Sequence, residues 1–235
     1  MRKCKVLSLL LGVILLLLCS CHPAVTLPEE SDTIGGINAE DLPGSAEEPE
    51  PSAEPVSKEE KPEAKYLNPD ELEEVPIDIV KSRTFEDRTI SVEDMPENEP
   101  ELLTYMLQYC AILPDFEQYK ALHGAAMRIE ANNTEKNFAD GDCFTAFTFH
   151  RIEALNEESA FALCDGWVKE DLARFVSQYE FTEYTVVEAE FTFVHKNKIL
   201  DEQAQRPSGR YSNAYLWAKT EKDESFKLYT VYWTD

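Results

Sequence analysis

Apolar side chains fall into three regimes along this chain. Residues 6–18 are apolar except for Ser8 and Gly12. Residues 22–65 contain no aromatic side chain and are rich in Pro, Glu, Ser and Ala. Beyond Pro100 apolar residues recur with helix and strand periods. Leu102, Leu103, Met106, Cys110 and Leu113 are spaced three to four apart, which predicts a helix. Pro100 suits its first turn, Asn98 its cap, and Pro114 ends it. A shorter helix follows, with Phe116, Tyr119 and Leu122 on one face and Gly124 as its stop. Residues 125–131 then read as a short strand, and NNTEKNFADGD (132–142) reads as a turn, because Asn, Asp and Gly cluster there.

The β-prone run CFTAFTFHRI (143–152) is the first long strand. Asn156 caps a third helix, with Glu157 and Glu158 in its favourable first turn. Phe161, Cys164, Val168, Leu172 and Phe175 form its apolar stripe, Trp167 and Val176 lie beside it, and Gly166 marks a break. Three strands close the chain. In 183–196, Val187, Ala189, Phe191 and Phe193 alternate with Glu188, Glu190 and Thr192, which predicts one core face and one solvent face. The strands over 211–219 and 226–234 follow, the last apolar on both sides. This order predicts an α+β domain over residues 99–235, with helices packed on a curved antiparallel sheet. Residues 66–98 carry Ile77, Ile79, Val80, Phe85, Ile90 and Val92. They receive no element, being either a short strand or an extended segment draped on the domain.

The element order resembles the nuclear transport factor 2-like, or cystatin-like, cone fold, in which a bent sheet wraps a long first helix. The resemblance implies a pocket between sheet and helices, used by relatives for catalysis, small-ligand binding or dimerisation. It rests on no motif, so it transfers no functional residue.

Charge and the N-terminus add location. MRKCK is a short basic segment, and the apolar run after it is shorter than the ~20 residues of a comfortable span. That is the form of a secretory signal peptide over residues 1–20. Leu18-Cys19-Ser20-Cys21 resembles the lipobox of bacterial lipoproteins: an aliphatic residue, a tolerant position, a small residue, then cysteine. Cys19 stands where Ala, Ser or Thr is more usual. The resemblance implies that Cys21 becomes the first mature residue and carries diacylglycerol on its sulfur. The protein is then anchored on the extracytoplasmic face of the cell membrane. Each buried methylene contributes about 0.8 kcal/mol, and two acyl chains hold where one exchanges.

The net charge is −24. It argues against a nucleic-acid partner, since no basic stripe offsets it. Residues 22–65 hold twelve acidic and three basic residues, and residues 66–100 eleven and three. Residues 21–65 are therefore read as a disordered tether, extended by proline and like charge. A signal, an acidic tether and one such domain together resemble several secreted lipoproteins of Gram-positive bacteria.

The candidate chemistry in the domain is sparse. Cys110, Cys143 and Cys164 read as buried core thiols, with a Cys110–Cys164 disulfide as the alternative. His195 shares the parity of Phe191 and Phe193 and is placed at a pocket rim. Tyr215 and Trp217 share parity with Asn213, and Tyr229 with Trp233, which makes one aromatic strand face a candidate partner or ligand surface. No zinc pair, phosphate loop or nucleophile elbow occurs, so no metal or cofactor is expected. Three functional readings follow. The first is a ligand-binding or protein-interaction module, with a small ligand, an envelope protein or a second copy through the sheet face as partner. The second is an enzyme using His195 or a carboxylate in a cone pocket. The third is a structural spacer at the cell envelope.

Overall fold

The structure is a computed structural model that describes residues 63–76 and 78–234; the expected signal peptide, Cys21 and all of the expected tether before residue 63 lie outside the described residues. Asn98 caps helix α1 (Glu99–Ile112) as its position before Pro100 predicts, its side chain accepting the Glu101 N–H. The buried face of α1 differs from the apolar stripe in the sequence. Thr104, Tyr105, Leu107, Cys110 and Ile112 are buried, together with Glu101, whereas Leu102, Leu103, Met106 and Leu113 are only half-buried. Two polar residues lie inward because the sheet satisfies them. The Glu101 carboxylate accepts the N–H groups of Ala154 at 2.8 Å and Glu97 at 2.7 Å. The Thr104 hydroxyl donates to the Pro100 carbonyl and accepts from the Trp217 indole, both at 2.9 Å.

Helix α2 (Phe116–Ala121) ends at a Leu122 cap. Gly124 has a different role from the expected stop. Its N–H donates to Leu228 O, and a Cβ there would lie 2.8 Å from the Tyr229 ring. The strand and turn expected over 125–142 are corrected. A 3₁₀ turn (Ala125–Met127) leads into helix α3 (Arg128–Ala139), which buries only Ala131. A helix with so little buried surface has no apolar stripe to read. Turn geometry is confined to its end, where Gly141 has φ +82°. The Phe138 ring holds α3 down, 5.3 Å from Phe116 and beneath the buried Arg88 guanidinium at 4.8 Å. The third helix breaks where expected: Gly166, at φ +87°, separates α4 (Glu157–Ala162) and a 3₁₀ turn from α5 (Trp167–Tyr179).

Seven strands form one mixed, mostly antiparallel sheet, so the domain is α+β. They are β1 (Lys65–Tyr66), β2 (Ser82–Phe85), β3 (Arg88–Val92), β4 (Phe144–Ala154), β5 (Phe181–His195), β6 (Gly209–Thr220) and β7 (Lys227–Trp233). The order is β2-β3-β4-β5-β6-β7, with β1 beside β5; β1–β5 and β3–β4 are the parallel pairs. Residues 65–92, mostly without an element in the sequence reading, thus supply three strands. Alternation in β5 holds only in part. Val187, Ala189, Phe191 and Phe193 are buried with Tyr105, Phe147, Tyr215 and Trp217, on the face that meets α1. On the opposite face Glu188, Glu190 and Thr192 are half-buried, but Tyr184 and Val186 pack with Val168 and Leu172 of α5. The expected solvent face is therefore solvent-facing over only half of the strand.

Thr104→Val keeps the side-chain shape and leaves the buried Trp217 N–H without its acceptor. We expect a loss of about 1–3 kcal/mol in unfolding free energy, read by urea titration with an unchanged slope.

Candidate functional site

The loop between β5 and β6 carries a short helix, α6 (Lys198–Gln203), capped by Asn197 through the N–H groups of Ile199 and Leu200. Beyond it Arg206 folds back over the sheet. Its guanidinium lies 4.2 Å above the Tyr211 ring and 4.7 Å from that of Trp233. Nη1 donates to Asn213 Oδ1 at 2.6 Å, and Nη2 to Ser212 O at 3.4 Å. The Arg206 carbonyl is 3.2 Å from His195 Nε2. A carbonyl only accepts, so that nitrogen carries the proton. Nδ1 of His195 stands 3.8 Å from Asp142, beyond hydrogen-bond reach. The loop base is fixed further by Ser208, whose hydroxyl accepts the His195 N–H at 2.9 Å and whose own N–H donates to Asp201. That N–H holds the Asp201 carboxyl below its ordinary pKa.

Arg206 thus gathers His195, Asn213 and Trp233 into one cluster. The remaining aromatic candidates lie elsewhere. Tyr215 and Trp217 share the Asn213 face but are 1% and 0% exposed, within the core under α1. Burial pushes the Tyr215 hydroxyl up to about 12. Tyr229 does not share a face with Trp233. A β-bulge pairs Leu216 with Thr230 and Trp217 with Leu228, so Tyr229 turns to the opposite side, against Phe181 at 4.6 Å. Of these aromatics only Trp233, 49% exposed, reaches the surface. Arg206 carried no mark in the sequence. What brings it to Trp233 is the pairing of Asn213 with Trp233, a register set by the bulge.

The other histidines are held differently. His123 Nδ1 lies 2.7 Å from the Tyr119 carbonyl, which only accepts, so Nδ1 is the donor; burial lowers the pKa of the ring. His150 sits at a bulge of β4, with Nε2 2.8 Å from the Thr192 hydroxyl and Nδ1 3.1 Å from the Glu93 carboxylate. The surrounding face is a polar lattice: Ser91 bonds Thr148 at 2.9 Å, Arg151 pairs with Glu188 at 2.8 Å, and Arg210 with Glu190 at 2.6 Å.

The space between α1 and the sheet is filled by Tyr105, Phe147, Phe149, Tyr215 and Trp217. Cavities are lined instead by charged residues. One of about 590 Å³ is bordered by Glu93, Asp94, Glu97, Glu101 and Glu153 with Lys81 and Arg151, and one of about 340 Å³ by Lys120, Arg128 and Lys227 with Asp223. Among the described residues no His, Cys, Asp and Glu group is arranged to hold a metal, and no disulfide joins Cys110, Cys143 or Cys164. Burial pushes the Cys110 thiol up to about 12, while Cys164 Sγ donates to the Trp233 carbonyl at 3.4 Å. No helix among the described residues is long and apolar enough to cross a membrane. No protein-family model, curated protein or solved structure matches the chain.

Arg206→Ala removes two ring contacts at a partly exposed site, each worth about 0.5–1 kcal/mol. We expect a loss of about 1–2 kcal/mol in urea unfolding together with a red shift of tryptophan emission as Trp233 meets water. Arg206→Lys should restore less than half of the loss, because an ammonium cannot stack between two rings and fork to Asn213.

Proposed function

We propose that this protein is a membrane-anchored extracytoplasmic lipoprotein whose α+β domain is a binding or interaction module. The observation that carries the location is Leu18-Cys19-Ser20-Cys21 at the end of a short apolar run. In this reading diacylglycerol on Cys21 holds the chain at the membrane, and the acidic residues of 21–65 keep the domain clear of the surface. The cone-like architecture belongs to the same proposal. It is supported by the packing of α1 on the sheet and by the long antiparallel strands β4 to β6 that follow the helices, while β1 to β3 precede α1.

Binding rather than catalysis is supported by the filled interior under α1 and by aromatic and aliphatic side chains left outside, Trp167 at 74% exposure and Trp233 among them. Such residues suit contact with a small ligand, an envelope protein or a second copy. His195, bonded to a backbone carbonyl and 3.8 Å from Asp142, is tied into a loop base.

A second reading is favoured by one observation. Thr192, His150 and Glu93 stand in the order hydroxyl, imidazole, carboxylate at 2.8 Å and 3.1 Å, the order that activates a nucleophile. They lie in a polar lattice that also explains their hydrogen bonds. Incubating the full chain with activated esters separates the two readings. The binding module gives no turnover above buffer, and turnover abolished by both Thr192→Ala and His150→Ala establishes the enzyme.

Cys21→Ala tests the anchor. The wild-type chain should partition into the detergent phase on phase separation and the variant into the aqueous phase; equal partitioning overturns the lipoprotein reading.

A further inference from the structure

The chain is acidic, yet one cavity is lined with cations. It measures about 340 Å³ and lies between the end of α2, the start of α3 and the first residue of β7. Lys120, Arg128 and Lys227 reach it from these three elements, with His123 and Asn132 beside them and Asp223 opposing. Lys227 Nζ is held at the cavity lip by the Ala121 carbonyl at 2.8 Å. Lys120 is shared with Glu135. Arg128 makes no ion pair among the described residues. Three cations and one carboxylate, Asp223, line the cavity, with Glu135, Glu117 and Glu130 acting on Lys120 and His123 from around it; five carboxylates, Lys81 and Arg151 line the larger cavity.

We propose that this cavity binds a small phosphate monoester. The donor set fits a phosphate better than a carboxylate. Two ammonium groups, a guanidinium fork and an amide can share the three terminal oxygens of a phosphate monoester, whereas a carboxylate offers only two oxygens. The histidine adds a second fit. His123 Nδ1 donates to Tyr119 O, so in the neutral ring Nε2 is an acceptor. The monoanion of a phosphate monoester, the form favoured below its second pKa of about 6, presents an O–H to it; an ionised carboxylate has none. The cavity fits a phosphate and a small attached group, and Asp223 at its rim sets a polar limit on the far side.

The test uses titration calorimetry on the full chain at fixed ionic strength, with inorganic phosphate, glycerol 3-phosphate, a glycerol phosphodiester and acetate. Phosphate and the monoester should bind, and acetate should give only heat of dilution. Arg128→Gln, at an exposed helix position, should weaken monoester binding about tenfold, the loss of one charge-assisted contact of about 1.4 kcal/mol. Lys227→Gln should weaken it similarly, and thermal unfolding of each variant reports that the fold is intact. Acetate binding as tightly as phosphate, a diester binding as tightly as the monoester, or a folded Arg128→Gln variant with unchanged affinity overturns the proposal. The site belongs to the domain alone, so binding should persist in Cys21→Ala, whatever that variant shows about the anchor.

Discussion

The fold depends on how α1 sets a partly polar face onto the sheet. Trp217 donates to Thr104, Thr104 donates to Pro100, and the Glu101 carboxylate takes the last N–H of β4. Each group is buried, and each would cost free energy if left unpaired. The apolar contacts around them allow many rotations of the helix; these hydrogen bonds allow one. Once α1 is fixed, Tyr105, Leu107 and Ile112 pack against the sheet beneath it.

The opposite side of the sheet is divided. Near the start of β5 it meets α5 through Tyr184, Val186 and Leu216. Toward the end of β5 it becomes a lattice of hydroxyls, carboxylates and guanidinium groups. One strand therefore runs from an interior into an open surface. The candidate sites lie outward of this layout: the exposed Trp233 beside Arg206 at one end of the sheet, and the cation-lined cavity near the start of β7. The first is assembled by a loop and strand ends, as recognition surfaces commonly are, and the second by the ends of two helices and the start of β7.

Sequence periodicity located the long strands, α1 and the break at Gly166, because each has either a strong apolar period or a residue whose backbone requirement is local. It failed where the deciding interaction is remote. α3 buries one alanine and is anchored through Phe138 by Arg88, fifty residues away in the chain, and no local pattern records that contact. β3 pairs in parallel with β4 across α1, α2 and α3, a long-range choice that its few apolar residues could not reveal. The aromatic candidates show the same limit. Parity put Tyr229 with Trp233, and a bulge at Tyr229 undid it. His195 and Asn213 were selected from the sequence, but the arginine that joins them was not, since its stacking partners are distant in sequence on one side and depend on strand register on the other.

β1 has only two residues and pairs with β5 alone, in parallel, continuing the row that β4 vacates. Tyr66 is buried there, its hydroxyl donating to Leu155 O at 2.8 Å, and the next residue, Leu67, donates its N–H to Tyr184 O at 2.8 Å. A load that reaches the domain through Lys65 is therefore taken first by the short β1–β5 ladder and by the buried side chain of Tyr66.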